Sequence, residues 1–126
     1  MKKYCLIGWP IKHSLSPDIH NTSFKKLAID AVYEKMEINP DDFEQEIKSL
    51  KNNYSGFNVT IPYKSKIVSF LDDIDSKAKN VGAVNTVCVI KGKWKGYNTD
   101  IDGFISPLLV LERTFKRCLL MGSGGA

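Results

Sequence analysis

Cysteine, histidine and long apolar runs are scarce in this sequence, and each scarcity removes a class of function. The three cysteines, Cys5, Cys88 and Cys118, lie far apart, each within an apolar run, and no CxxC pair occurs. Such a set excludes a disulfide framework and reads as buried, reduced thiols of a cytoplasmic protein. The two histidines, His13 and His20, have no metal-ligand spacing to each other or to a cysteine, so no metal site is expected. No apolar stretch approaches the roughly 20 residues of a membrane span. Met1-Lys2-Lys3 leads only into a short apolar run and Gly8-Trp9-Pro10, which is not a signal peptide. Basic residues outnumber acidic ones by 18 to 14, a net charge of +4, but the lysines are scattered. A nucleic-acid surface needs a concentrated basic stripe, so none is expected, whereas a mild lysine excess suits an anionic small ligand. Internal repeats and low-complexity segments are also missing.

What is there is an ordinary globular composition, 43% hydrophobic and 25% charged over 126 residues, enough for one core. Tyr4 to Gly8 reads as a buried strand, followed by a loop punctuated by Gly8, Pro10 and Ser14. Ser16-Pro17-Asp18 starts a helix, with Ser16 as N-cap, Pro17 at the first helical position and Asp18 in the first turn, and Ile19, Phe24, Leu27 and Ala28 give it an apolar face. Ala31–Ile38 is a second strand. Asn39-Pro40-Asp41-Asp42 then opens a helix whose stripe is Phe43, Ile47 and Leu50. A third strand, Phe57–Ile61, is ended by Pro62, and a helix carrying Ile67, Val68 and Leu71 follows. Ser76 to Val81 is a helical turn closed by Gly82. Ala83–Ile90 and Trp94–Tyr97 form a hairpin across Lys91-Gly92-Lys93. A helix spans Asp100 to Glu112, with a kink or break expected at Pro107, and Cys118 to Met121 is a last buried strand. The alternation predicts an α/β fold with a mixed, mainly parallel sheet flanked by helices.

In open α/β sheets ligands sit beyond the carboxyl ends of the strands. Ser14 and Ser16 follow the first strand, Thr60 and Lys64 the third, and Asn98, Thr99 and Asp100 the hairpin strand, while Asn85-Thr86 opens its neighbour. Singly, each has an ordinary role: Ser16 a cap, Asn85 a turn residue, Asp100 a helix N-terminal acid, Lys64 a solvated lysine. Together, hydroxyls, an amide, one ammonium and one carboxylate suit a polyhydroxylated anionic ligand. A lysine held by an aspartate can donate a hydrogen bond, and then a proton, to an oxygen gaining charge during carbonyl reduction. The terminal Gly122-Ser123-Gly124-Gly125-Ala126 follows an apolar run, the place for a glycine turn carrying a nucleotide phosphate. The chain therefore reads as the front of a longer protein, entering a second, nucleotide-binding domain.

Five motifs, in order and in spacing, resemble the shikimate dehydrogenases. They are Gly8-Trp9-Pro10-Ile11-Lys12-His13-Ser14-Leu15-Ser16-Pro17 with His20-Asn21; Asn58-Val59-Thr60-Ile61-Pro62-Tyr63-Lys64; Gly82-Ala83-Val84-Asn85-Thr86; Asn98-Thr99-Asp100 with Gly103-Phe104; and Gly122 to Ala126. The resemblance implies NADPH-dependent, reversible reduction of 3-dehydroshikimate to shikimate, a step toward chorismate and the aromatic amino acids. It implies a substrate domain over 1–112 and the start of an NADP-binding Rossmann domain over 113–126. By the same resemblance Ser14 and Ser16 hold the substrate carboxylate, and Thr60, Asn85 and Asp100 contact ring hydroxyls, with Asn58 and Thr99 nearby. Lys64 and Asp100 are then the catalytic pair, and Gly122, Ser123, Gly124, Gly125 and Ala126 begin the NADP phosphate loop. The expected protein is a monomer or homodimer without metal, membrane or nucleic-acid partners. The 126 residues alone are expected to be unable to complete turnover. Quinate/shikimate dehydrogenase, or a shikimate-binding module without hydride transfer, are the other readings.

Overall fold

A computed structural model of the chain describes residues 1–111 and 113–122. The elements run β1 (Lys2–Gly8), α1 (Ser16–Lys26), β2 (Ala31–Glu37), α2 (Phe43–Leu50), β3 (Gly56–Val59), a 3₁₀ turn (Lys66–Phe70), β4 (Asp73–Ile74), α3 (Ser76–Val81), β5 (Thr86–Ile90), β6 (Lys93–Tyr97) and α4 (Asp100–Val110). The strands form one six-stranded sheet in the order β2-β1-β3-β5-β6-β4. β1 pairs in parallel with β2 and β3, and β4 with β6, while β5 runs antiparallel to both β3 and β6. The sheet is thus mixed and mainly parallel, as the sequence pattern implies.

Both faces are covered around β1, where Cys5, Leu6, Ile7 and Gly8 are all buried, as a central parallel strand requires. On one face Cys5, Ile7, Phe57, Val59, Val87 and Trp94 meet Phe43, Ile47 and Leu50 of α2, together with Tyr63, Ile67 and Ala78. Phe43 and Tyr63 stack at 4.2 Å between centroids. The other face holds a smaller cluster of Leu6, Ile11 and Tyr33, joined by Tyr4 and Phe24. Burial lifts the Cys5 thiol to about 12, helped by the Glu34 charge, so it stays protonated as an inert core group.

Gly82 closes α3 as expected, and the structure adds a cap at its start. The Asp75 carboxylate accepts from the Lys77 backbone N–H, and Gly82 adopts the left-handed conformation (φ 69°) that closes the helix. The start of α1 differs from expectation. Ser16 is the first helical residue rather than the cap, and Leu15 occupies the cap position without a side-chain hydrogen bond. The Ser14 hydroxyl instead accepts from the Ser16 N–H at 3.3 Å, so the capping role moves two residues upstream. The apolar face expected on α1 is also reduced: Phe24 packs inward, but Ile19 and Leu27 stay exposed. A polar residue docks this helix. Asn21 Nδ2 donates to the Tyr33 carbonyl and Asn21 Oδ1 accepts from the Tyr33 N–H, both at 2.9 Å, so the side chain continues the ladder at the edge of β2.

Further departures concern the strand limits and the C-terminal region. β3 stops at Val59, short of Ile61, because Thr60 donates its N–H to the Ile7 carbonyl and the chain turns at Pro62. β5 begins at Thr86, three residues later than expected, because the Val84 N–H is diverted to the Lys64 carbonyl. The expected helix around Ile67 is a 3₁₀ turn, and the two-residue β4 carries too few residues to show a period. α4 continues past Pro107 to Val110 rather than breaking there, and none of its residues is buried. Its expected end at Glu112 lies outside the described residues. Cys118 to Met121 is not a strand: Leu119, Leu120 and Met121 are more than four-fifths exposed. An apolar run becomes a strand only against a partner ladder, and none pairs with it here. Of the cysteines, Cys5 alone is buried, while Cys88 is half-buried and Cys118 exposed. No helix among the described residues is long and apolar enough to cross a membrane.

Gly8 ends β1 where two loops converge. A Cβ there would lie 2.5 Å from Thr60 Cγ2, 2.7 Å from Ile11 Cγ2 and 3.0 Å from the Ile61 carbonyl oxygen. Gly8→Ala is expected to cost about 1–3 kcal/mol of stability by overpacking, to be measured by urea unfolding; an unchanged midpoint would refute the close approach.

Candidate functional site

The topology gathers the polar clusters. β1, β3 and β6 point the same way, so their carboxyl ends share one edge of the sheet. β5 is reversed, so its first residue, Thr86, and the preceding Asn85 arrive at that same edge. Ser14 and Ser16 follow β1, Thr60 and Lys64 follow β3, and Thr99 and Asp100 follow β6. The loops are laced together by backbone: Trp9 N–H donates to the Ile61 carbonyl at 2.9 Å, Val59 N–H to the Asn85 carbonyl at 2.8 Å, and Asn85 N–H to the Tyr97 carbonyl at 3.1 Å.

Lys64 and Asp100 meet directly, with Nζ 2.7 Å from Oδ2. Lys64 is 18% exposed and Asp100 49% exposed, so the pair opens to solvent on the carboxylate side. Its framework is well anchored. Tyr63, adjacent to Lys64, is buried and donates its hydroxyl to the Ile38 carbonyl, which fixes the backbone from which Lys64 projects. Burial, with the Asp41 charge, raises the Tyr63 phenol above its ordinary range, so it remains a donor. On the other side the buried Asn98 accepts from the Asp100 N–H at 3.0 Å and donates to the Ala83 carbonyl at 3.0 Å. Asn98 is thus the bracket that aims Asp100, although the motif reading assigned it no role of its own. Exposed ion pairs contribute little stability, so the value of this one lies in placing an ammonium.

A second network lies beside the pair. Asn85 Oδ1 accepts from the Thr99 N–H at 2.9 Å and from the Thr86 hydroxyl at 3.0 Å, while its Nδ2 donates to Thr99 Oγ1 at 2.8 Å. Asn58 Nδ2 donates to the Asn85 carbonyl at 3.2 Å and to Thr86 Oγ1 at 3.0 Å, and its Oδ1 accepts from the Tyr33 hydroxyl at 2.7 Å. Asn58 therefore spends most of its bonding capacity inside the protein.

At the serine loop, Ser14 Oγ lies 3.1 Å from Ser16 Oγ. Alternate residues of β2, unremarked in the sequence, hold this loop. Lys35 Nζ donates to the Lys12 carbonyl at 2.7 Å and reaches the Ser14 carbonyl at 3.5 Å, and the Glu37 carboxylate accepts from the Ile11 N–H at 2.9 Å. Only their i, i+2 spacing with Tyr33 could have flagged them, and that spacing is shared by any strand face.

A cavity of about 610 Å³ adjoins Lys64 and Asp100, walled by Val81, Ile101, Phe104, Ile105 and Leu120. Of the five residues expected in the phosphate loop, Gly122 is described, with φ 96°, while Ser123, Gly124, Gly125 and Ala126 lie outside the described residues. The serines, Thr60, Lys64, Asn85, Thr99 and Asp100 all stand along one rim of the sheet.

The fold and this rim define an α/β domain with one polar edge of converging loops. Residues 6–87 match the shikimate dehydrogenase substrate binding domain, and the chain belongs to that family. A shikimate dehydrogenase (NADP(+)) from Oceanobacillus iheyensis is 48% identical over 128 residues, which cover 96% of this chain and 46% of that protein. The chain thus spans about half the length of the curated relatives it matches. Among solved structures, shikimate dehydrogenase from Aquifex aeolicus superposes with a TM-score of 0.83 at 42% identity, over 89% of this chain and 42% of that one. The Thermus thermophilus shikimate 5-dehydrogenase, solved in complex with NADP(H) and shikimate, gives 0.81 at 32% identity, over 87% of this chain and 42% of that one.

The strut from Glu37 to Ile11 is testable by itself. A hydrogen bond to a charged group contributes about 1.5–3 kcal/mol, so Glu37→Ala is expected to speed Ile11 amide exchange at least about tenfold. Unaltered exchange would show that the loop is held by other contacts.

Proposed function

We propose that this chain is the substrate-holding part of an NADP-dependent shikimate dehydrogenase that reduces 3-dehydroshikimate to shikimate. The observation that carries the reading is the Lys64 Nζ–Asp100 Oδ2 contact of 2.7 Å on a rim of hydroxyl and amide groups. The substrate domain would occupy residues 1–112, and 113–126 would open the cofactor domain. Ser14 and Ser16 would take the substrate carboxylate. Their hydroxyls are neighbours, the α1 N-terminus beside them carries partial positive charge, and Lys35 stands behind their loop. Asn85, Thr99 and Thr60 would take the ring hydroxyls, with Asn58 behind them.

Lys64 Nζ donates to the carbonyl oxygen under reduction and yields its proton as that oxygen becomes an alkoxide. Asp100 holds the ammonium on one side, so the free N–H groups face the ligand, and accepts from a neighbouring hydroxyl. Val81, Ile101, Phe104 and Ile105 form an apolar wall beside the pair, which would suit a nicotinamide ring. When bound, NADPH supplies the hydride that these residues cannot. Gly122 to Ala126 would hold its phosphates.

In the full-length enzyme, Lys64→Ala is expected to lower kcat by about 10²–10⁴-fold while changing KM little. Near-normal turnover would remove Lys64 from the chemistry. Ser14→Ala should instead weaken shikimate binding by roughly 1–3 kcal/mol with kcat nearly kept, as read from titration calorimetry beside steady-state rates. Unchanged affinity would dismiss the carboxylate anchor.

A further inference from the structure

We propose that Tyr33, which stands outside the rim, is a positioning residue that sets the hydrogen-bonding direction of Asn85 and Thr99 through Asn58 and Thr86. The proposal rests on the functional reading above for the ligand it concerns. Its basis is a chain in which each donor leaves the next group one way to bond. The Tyr33 hydroxyl donates to Asn58 Oδ1 at 2.7 Å, which turns Nδ2 of that amide toward β5. Nδ2 then donates to Thr86 Oγ1 at 3.0 Å, and Thr86, having accepted, gives its single proton to Asn85 Oδ1 at 3.0 Å. With Oδ1 occupied from behind, Asn85 presents Nδ2 outward, where it donates to Thr99 Oγ1 at 2.8 Å. The Thr99 hydroxyl also reaches back to Asn85 Oδ1 at 3.3 Å, so the second Nδ2 hydrogen is what Asn85 offers a ligand hydroxyl. Chains of this kind strengthen cooperatively in a partly desolvated setting.

The start of the chain is held on every side. Asn21 bonds both backbone groups of Tyr33, at 2.9 Å each. The His20 ring stacks on the phenol at 4.3 Å between centroids, 16° from parallel. Tyr33 is 4% exposed. Burial, with a smaller push from Cys5, raises its phenol well above the ordinary tyrosine range, so the hydroxyl remains a donor at any working pH. These contacts also give a purpose to the His20-Asn21 motif, which touches none of the rim residues: it fixes Tyr33.

The test is Tyr33→Phe in this chain, which removes one oxygen and keeps the ring stack. Binding of shikimate and of 1-cyclohexene-1-carboxylate, which keeps the carboxylate and lacks the ring hydroxyls, is measured by NMR titration. Shikimate should bind about 2–13-fold more weakly, the effect of one neutral hydrogen bond, while the hydroxyl-free carboxylate should bind as before. Equal weakening of both compounds, as a general loosening of the fold would give, or no weakening of shikimate, overturns the proposal. Should the unmutated chain bind neither compound, the functional reading fails by itself. The relay is then decided by the Asn85 side-chain amide and Thr99 backbone amide signals: movement in Tyr33→Phe supports it and unmoved signals overturn it.

Discussion

The reversal of β5 between β3 and β6 is the constraint on which the site depends. In an all-parallel sheet the start of a strand lies at the edge away from the ligand. Here the antiparallel pairings Asn58↔Thr86 and Thr86↔Tyr97 bring the beginning of β5 between the ends of its two neighbours. Asn85 is therefore flanked by the segments that carry Lys64 and Asp100. Its backbone N–H and C=O tie it to β6 and β3 respectively, at 3.1 and 2.8 Å. The hairpin across Lys91-Gly92-Lys93 is more than a connection, because it returns the chain so that the end of β6, with Asp100 just after it, lies beside the start of β5.

Around that constraint, stability and function are divided between the two faces of the sheet. The larger cluster, with α2 and Tyr63, contributes apolar burial and anchors the backbone that carries Lys64. The smaller face buries less and instead carries a run of oriented polar contacts: Asn21, Tyr33, Asn58, Thr86 and Asn85. Buried polar networks are costly when incomplete and specific when complete. This one has its donors and acceptors matched from β2 to the start of β5.

Much of this was legible in the residues themselves. Apolar patterning marked β1, α2 and the hairpin, and Gly82 marked the end of α3, because those signals are local. The placement of polar residues after strands located the rim. Less legible was anything set by partners distant in sequence. Ser16 reads as a cap until Ser14 is seen to accept its N–H. Cys118 to Met121 has the composition of a strand but no ladder to join, and α4 has a core-like composition on a helix that buries none of its residues. Lys35 and Glu37 are ordinary surface charges in the sequence. Their use follows from the fold of a loop more than twenty residues earlier. Asn98 stands within a motif, but its bracket between Ala83 and Asp100 arises only when β6 folds beside the segment before β5.

Of the alternate residues of β2, Lys35 and Glu37 hold the serine loop and Tyr33 holds Asn58. A strand presents every second residue to one face, so their joint orientation is a property of register rather than of three separate choices. A one-residue insertion anywhere between Asn21 and Tyr33 that shifted β2 along β1 would turn all three away together. It would put Val32, Glu34 and Met36 in their places. Length in the α1–β2 connection is therefore as much a part of the recognition apparatus as any side chain on the rim.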